Sequence, residues 1–173
     1  MINVRRQTKV KMGNKTIERH PVKILGIDYK VKITYKSVKI AQLDVEGKTI
    51  KITLQNKYKK VENKQMLDFA IDKMYENIAK VEIERAMEKA RIMLGFAPED
   101  YKIAKIEKEY GKCENNIITI DPRIVMLERD IIDYVVIHQY CHLKYKTHSK
   151  GFRELISKYI PNYEKYQEIL KNN

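Results

Sequence analysis

The spacing of hydrophobic residues changes abruptly near Asn56, and that change limits what the chain can fold into. Before it, Val31, Ile33 and Tyr35, then Ile50, Ile52 and Leu54, recur every second residue, the period of strands with one buried face. Glu46-Gly47 supplies a turn between Val38–Ile40 and Thr49–Leu54, so Pro21 to Gln55 reads as an antiparallel meander with its lysines outward. After the polar break at Asn56 to Asn63, Leu67, Ile71, Met74, Ile78 and Val81 recur at three and four, and the pattern continues through Ala86 and Ala90 to Met93. That spacing predicts a long amphipathic helix, ended by Gly95 and Pro98.

A second strand pair follows, Tyr101 to Glu109 and Asn116 to Ile120, joined through Gly111 and Glu114-Asn115-Asn116 and closed by Asp121-Pro122. Asp130 is placed to cap a helix that runs to about Tyr145, with Asp133 in its first turn. Lys146 to Ser149 form a short connection. Phe152, Leu155, Ile156 and Tyr159 mark another helix, stopped by Pro161, and Tyr163 to Leu170 form the last. The expected fold class is α+β: an N-terminal antiparallel β lobe, a long linking helix, a small sheet and a C-terminal helical part. Residues 1–173 read as one domain, with a basic β lobe at 1–60 and the linking helix, small sheet and remaining helices at 61–173.

Charge follows the same division. Residues 1–60 hold 16 Lys and Arg against 4 Asp and Glu, so the whole formal net charge of +12 lies there and residues 61–173 balance to zero. Such an excess attracts nucleic acid or an acidic partner by counterion release. Alternating lysines on the wet face of a sheet give the same count, and no nucleic-acid-binding motif accompanies them. The opening Met1 to Val10 is basic and leads into Lys11, Gly13 and Asn14 rather than an apolar run, so no secretory leader and a cytoplasmic protein are expected. The apolar run Tyr134 to Ile137 is far too short to span a membrane. Cys113 and Cys141 form no disulfide framework or redox pair and read as reduced thiols.

Chemistry concentrates in the histidines. Three of the four in the chain, His138, His142 and His148, fall within eleven consecutive positions. Four residues apart on a helix, His138 and His142 project from one face about one turn apart, which suits two corners of a tetrahedral zinc ion. His148 lies just past the helix end, where the chain can turn back as a third ligand and leave a fourth position for water. For an isolated H-x-x-x-H pair, packed or exposed helical histidines are the default reading, and His148 and the flanking residues tip it towards metal. The H-E-x-x-H metalloprotease motif places a glutamate after the first ligand as general base. Here that position is Gln139, whose amide is nearly isosteric with the carboxylate but accepts no proton.

Tyr134-Val135-Val136-Ile137-His138-Gln139-Tyr140-Cys141-His142-Leu143, with His148-Ser149-x-x-Phe152, resembles the Y-V-V-x-H-E-L-x-H-L…H-S-x-x-F signature of YgjP-like metal-dependent hydrolases, which are similar to WLM and SprT-like metallopeptidases. Tyr110-Gly111-Lys112-Cys113 is similar to the family's W-G-S-C, Asn116-Ile117-Ile118 to its G-N-I, Pro161-Asn162-Tyr163 to its P-D-Y, and Ile24-Leu25-Gly26-Ile27-Asp28-Tyr29 to its L-G-x-x-Y element. The resemblance covers roughly residues 20–173, and the block 138–152 is its specific part. It implies a zinc metallopeptidase acting on peptide or protein substrates, metal ligands at His138, His142 and His148, and the general-base position at Gln139. Gln139 departs from that pattern, as do Tyr110 and Lys112, and Arg153 stands where the family usually has tryptophan. Two accounts of Gln139 are open: an engineered replacement that removes the base, favoured by the closeness of the surrounding block, or a natural one that keeps zinc as a structural or binding centre.

Two functions therefore follow. One is a zinc-dependent peptidase or hydrolase, impaired as written by Gln139. The other is a non-catalytic zinc-containing module whose basic lobe holds nucleic acid or an acidic partner. Cys141, beside His142 but about 100° away around the helix, reads as a core residue, and Cys113 as a residue near the cleft. His20 reads as a surface residue, and Tyr140, Tyr145 and Tyr159 as packing residues.

Overall fold

A computed structural model of the protein describes residues 22–60 and 64–172. Met1–Val10, His20 and Pro21 lie outside them, as do the side chains of residue 60 and residues 64–67, Leu67 included. The architecture is α+β, and the described chain falls into two compact units that divide between Phe69 and Ala70.

The first unit is a four-stranded sheet of β1 (Val22–Ile24), β2 (Ile27–Lys36), β3 (Gln42–Glu46) and β4 (Thr49–Gln55), in the order β1-β2-β4-β3. Leu25 and Gly26, at φ of 51° and 79°, make the two-residue turn from β1 to β2, a left-handed pair whose twist suits a hairpin. The expected antiparallel meander is only partly realised. β1 with β2 and β3 with β4 are antiparallel, but β2 and β4 run parallel, so the sheet is mixed. Val38–Ile40, expected as a strand, belongs to the connection that passes the end of β4 to reach the outer edge, and the strand begins at Gln42. There Leu43 and Val45 stand opposite Ile52 and Ile50, so the apolar alternation stays in register. Val31, Ile33, Ile50, Ile52 and Leu54 are buried, while Lys23, Lys30, Lys32 and Lys36 are exposed. The lysines share their face with Asp44 and Glu46, and Glu46 pairs with Lys51, so part of the charge is neutralised within the sheet.

Helix α1 (Lys64–Leu94) runs from the first unit into the second and ends where Gly95, at φ 75°, donates its N–H to the Arg91 carbonyl. Its buried line holds the expected Met74, Ala86 and Ala90 but also takes in Ala79, Glu82, Ile83, Met87 and Leu94, whereas Val81 is 67% exposed. Glu82 holds a place on the apolar face because Arg129 and Arg85 both pair with it, which compensates for burying a charge.

The small sheet has three strands rather than two: β5 (Asp100–Ile103), β6 (Gly111–Glu114) and β7 (Ile117–Ile120), ordered β5-β7-β6. β6 was expected as a connection. Asn115 and Asn116, both at positive φ, fold it back onto β7 as a hairpin. β5 is shorter than expected because, after Ala104 donates to Ile120, the next ladder position is taken over by Asp121, whose Oδ2 accepts Ile106 N at 2.7 Å. Asp121 also caps the 3₁₀ turn Pro122–Met126. Helix α2 (Arg129–Lys144) starts earlier than its expected cap. Glu128 is the N-cap through its carbonyl, and Asp130 lies in the first turn, where the helix dipole favours it. Asp133 is bound instead by Arg85 and Lys89 of α1. Helices α3 (Lys150–Tyr159), capped by Ser149, and α4 (Tyr163–Lys171) complete the unit.

Candidate metal centre

Helix α2 is buried along most of its length, with Ile131, Ile132, Val135, Val136 and Ile137 in the core, so its register is fixed by packing. That register turns His138 and His142 to one side, half-buried. Past the helix the chain reverses through Lys146–Ser149, where Ser149 Oγ accepts the Phe152 N–H and starts α3. The reversal brings the exposed His148 back over α2. His142 Nε2 lies 3.1 Å and His148 Nε2 3.0 Å from His138 Nε2. Phe152, wholly buried at the first turn of α3, forms the common floor, its ring centroid 5.0, 4.7 and 4.6 Å from those of His138, His142 and His148.

Atom types decide which nitrogens carry protons. The Tyr145 carbonyl can only accept, so His142 Nδ1, 3.0 Å away, carries the hydrogen and the lone pair of a neutral ring is at Nε2. His138 Nδ1 is 3.1 Å from the Tyr134 hydroxyl. Burial, reinforced by the neighbouring His142 and His148, pushes the His138 imidazole down to about 3, so it is neutral near pH 7. Burial also lowers His142 against the opposing pull of the Tyr145 carbonyl. Ring nitrogens about 3 Å apart share either a hydrogen or a cation. A first-row transition ion with bonds of about 2.0–2.1 Å sets tetrahedral ligand atoms roughly 3.3–3.4 Å apart, close to the spacing found. Soft, neutral imidazoles suit such an ion better than magnesium or calcium, and among the described residues this trio is the cluster of potential ligands that converges. The donor set fits a metal ion.

Gln139 is held against β6. It is 6% exposed, and its Nε2 donates to the Gly111 carbonyl of β6 at 3.2 Å. Gly111 is what lets strand and helix approach, since a Cβ there would stand 3.0 Å from Val135 Cγ1 and 3.1 Å from Gln139 Cγ. Cys113 is on the same strand, half-buried, and burial raises its thiol above the ordinary range. Cys141 is fully buried, its thiol pushed up to about 12, as a core residue should be. Tyr140 donates its hydroxyl to the Met87 carbonyl at 3.0 Å, a packing role. Four residues named from the sequence have roles at the trio that it did not assign: the Tyr145 carbonyl, the Phe152 floor, Tyr134, and Arg153, whose Nη1 donates to the His148 carbonyl at 2.8 Å. Tyr134 and Phe152 stood in the resembled signature, and Tyr134 also lies four residues before His138 on the same helix face.

Known proteins supply the family. No curated protein matches the chain. Among solved structures, a metallopeptidase zymogen, abylysin of Pyrococcus abyssi, is 25% identical over 52% of this chain and 92% of its own, with a TM-score of 0.48. The zymogen jannalysin of Methanocaldococcus jannaschii is 17% identical over 52% and 86%, with a TM-score of 0.45. The model of the YgjP-like metallopeptidase domain matches residues 1–173, and the chain belongs to that family.

Proposed function

We propose that the chain is a zinc-dependent metallopeptidase domain that acts on peptide or protein substrates, with both units forming one functional domain, and that Gln139 impairs hydrolysis. The observation that carries the reading is the convergence of the His142 and His148 Nε2 atoms to 3.1 and 3.0 Å from that of His138. His138, His142 and His148 would hold the ion. When bound, zinc lowers the pKa of a water molecule towards neutrality and polarises a carbonyl. The residues then have separate tasks. Tyr145 orients His142, Phe152 excludes water beneath the rings, and position 139 is where a base would take a proton and return it to the departing amine. Glutamine cannot do so, and its amide is already engaged by Gly111.

That engagement also favours a second reading, a non-catalytic zinc-containing module whose basic lobe holds nucleic acid or an acidic partner. Chelator-sensitive cleavage of unstructured protein substrates would separate the two. The first test is metal analysis: one zinc per chain is expected, with His138→Ala, His142→Ala and His148→Ala each losing it. Full stoichiometry in all three variants would overturn the assignment.

A further inference from the structure

We infer that the ring of Tyr145 and the bare backbone of Gly151 form a clasp that closes the neck of the segment between α2 and α3 and so sets the reach of His148. That role rests on the proposed metal centre. Two of the three imidazoles are placed by a packed helix, but His148 is exposed and sits in the short reversal between α2, which ends at Lys144, and α3, which begins at Lys150. A ligand carried on a loop binds an ion well only when the loop already holds it in place, because ordering the segment otherwise counts against binding.

Tyr145 touches both ends of the reversal. Its N–H donates to the Cys141 carbonyl at 2.9 Å, which makes it the last residue held by α2, and its own carbonyl accepts from His142 Nδ1 at 3.0 Å. Its side chain then reaches across five residues to α3. A Cβ on Gly151 would stand 2.7 Å from Tyr145 Cε1, 2.9 Å from Cζ and 3.1 Å from the hydroxyl oxygen, the first two well inside the ~3.5–4.0 Å of an ordinary carbon contact. Only a residue without a side chain lets the ring lie there. No left-handed backbone accounts for this glycine: it sits in the first turn of α3 without a positive φ, a place where alanine would suit the helix better. The ring contact therefore closes a loop around Lys146–Lys150 with His148 in its middle, while Arg153 of α3 holds the His148 carbonyl at 2.8 Å. Tyr145 and Gly151 are positioning residues that act through His148.

The test measures zinc affinity by chelator competition and, in metal-free protein, amide hydrogen exchange at residues 146–149. Gly151→Ala pushes the ring off α3, and because Tyr145 is 36% exposed the ring has solvent to move into and the chain still folds. Expected are zinc binding weaker by about tenfold, the lower end of what an outer support of a ligand is worth, faster exchange at 146–149, and a metal-free melting temperature no lower than wild type, since alanine favours the helix. Tyr145→Ala keeps the carbonyl on His142 but removes the ring, and should match it. The two changes together should cost no more than either alone because they break one contact, and Tyr145→Phe, which keeps the ring, should stay near wild type. Unchanged zinc affinity in Gly151→Ala, losses that add in the double variant, or Tyr145→Phe as weak as Tyr145→Ala would overturn the clasp. If wild-type protein binds no zinc, the metal reading fails, and the clasp is judged by exchange alone: faster rates at 146–149 in both Gly151→Ala and Tyr145→Ala sustain it, and wild-type rates there overturn it.

Discussion

Replacing Gln139 by glutamate tests chemistry and packing at once, with opposite signs. A carboxylate there would supply a group able to take a proton and deliver it to a leaving nitrogen, and general acid–base catalysis of this kind is worth about 10² to 10⁴ in rate. The structural cost is visible. Gln139 Nε2 donates to the Gly111 carbonyl at 3.2 Å inside a contact where the residue is only 6% exposed. A carboxylate has no hydrogen to give that carbonyl, so one hydrogen bond is lost and two acceptors face each other, a penalty of about 1–3 kcal/mol. For a chain of this length each kcal/mol lowers the melting temperature by about 2–4 °C. Burial and the facing carbonyl disfavour the charged form, so the folded-state pKa of the introduced carboxyl is raised. The penalty is therefore absent below the unfolded value of about 4.3 and complete once the pH exceeds the raised one. The assay compares both forms on an unstructured protein substrate, with zinc and with chelator, alongside melting curves at acid and neutral pH. Equal, chelator-sensitive activity in the two forms would show that another group supplies the base. An unchanged melting temperature at neutral pH would refute the tether to β6.

Two further outcomes follow from buried groups. Asp121 is fully buried; burial opposes its ionisation, but the Arg123 guanidinium and the backbone N–H groups of Ile106 and Arg123 prevail and hold its carboxyl below the ordinary range. A depressed folded pKa gives stability that is present above the unfolded value of about 3.9 and is lost as pH falls through the folded one. Asp121→Asn should therefore cost about 1.5–3 kcal/mol at neutral pH, narrowing in acid, and a gap in urea unfolding that is the same at both pH values would contradict this. Phe152→Ala empties the floor under three imidazoles and should cost about 3–5 kcal/mol in denaturant unfolding, with looser zinc in the same preparation; an unchanged midpoint would show that the floor is not a packed one.

The sequence made the pairing of His138 with His142 legible because a helix enforces its own arithmetic: the two share a face whatever surrounds them. It made the helices legible for the same reason, through runs of apolar residues long enough to outweigh local exceptions. What it could not show depends on partners distant along the chain. The parallel pairing of β2 with β4 is written in no local signal, since the same alternation suits either direction. Val81 looks apolar and Glu82 polar, yet Glu82 is the buried one because Arg129, 47 residues away, supplies its counter-charge. Gly111–Glu114 read as a connection because four residues around a glycine carry little alternation, and the Asn115-Asn116 turn that makes the hairpin was counted only as a break.

Gln139 and Arg153, two residues at which the chain departs from the signature it resembles, act alike on the backbone. Gln139 places an amide donor on the Gly111 carbonyl, and Arg153 a guanidinium donor on the His148 carbonyl at 2.8 Å. Each ties a backbone oxygen next to the centre to a helix, β6 to α2 in the first case and the returning chain to α3 in the second. His148 is the ligand candidate with the least packing around it, exposed and outside any helix, so a bond to its own carbonyl restrains the residue that has most freedom to leave. His138 and His142 need no such restraint because the buried face of α2 already fixes them. Replacing Arg153 by alanine should therefore loosen His148 more than His138 or His142, which backbone hydrogen exchange at residues 146–149 would show; unchanged exchange there would mean that the bond to the His148 carbonyl restrains nothing.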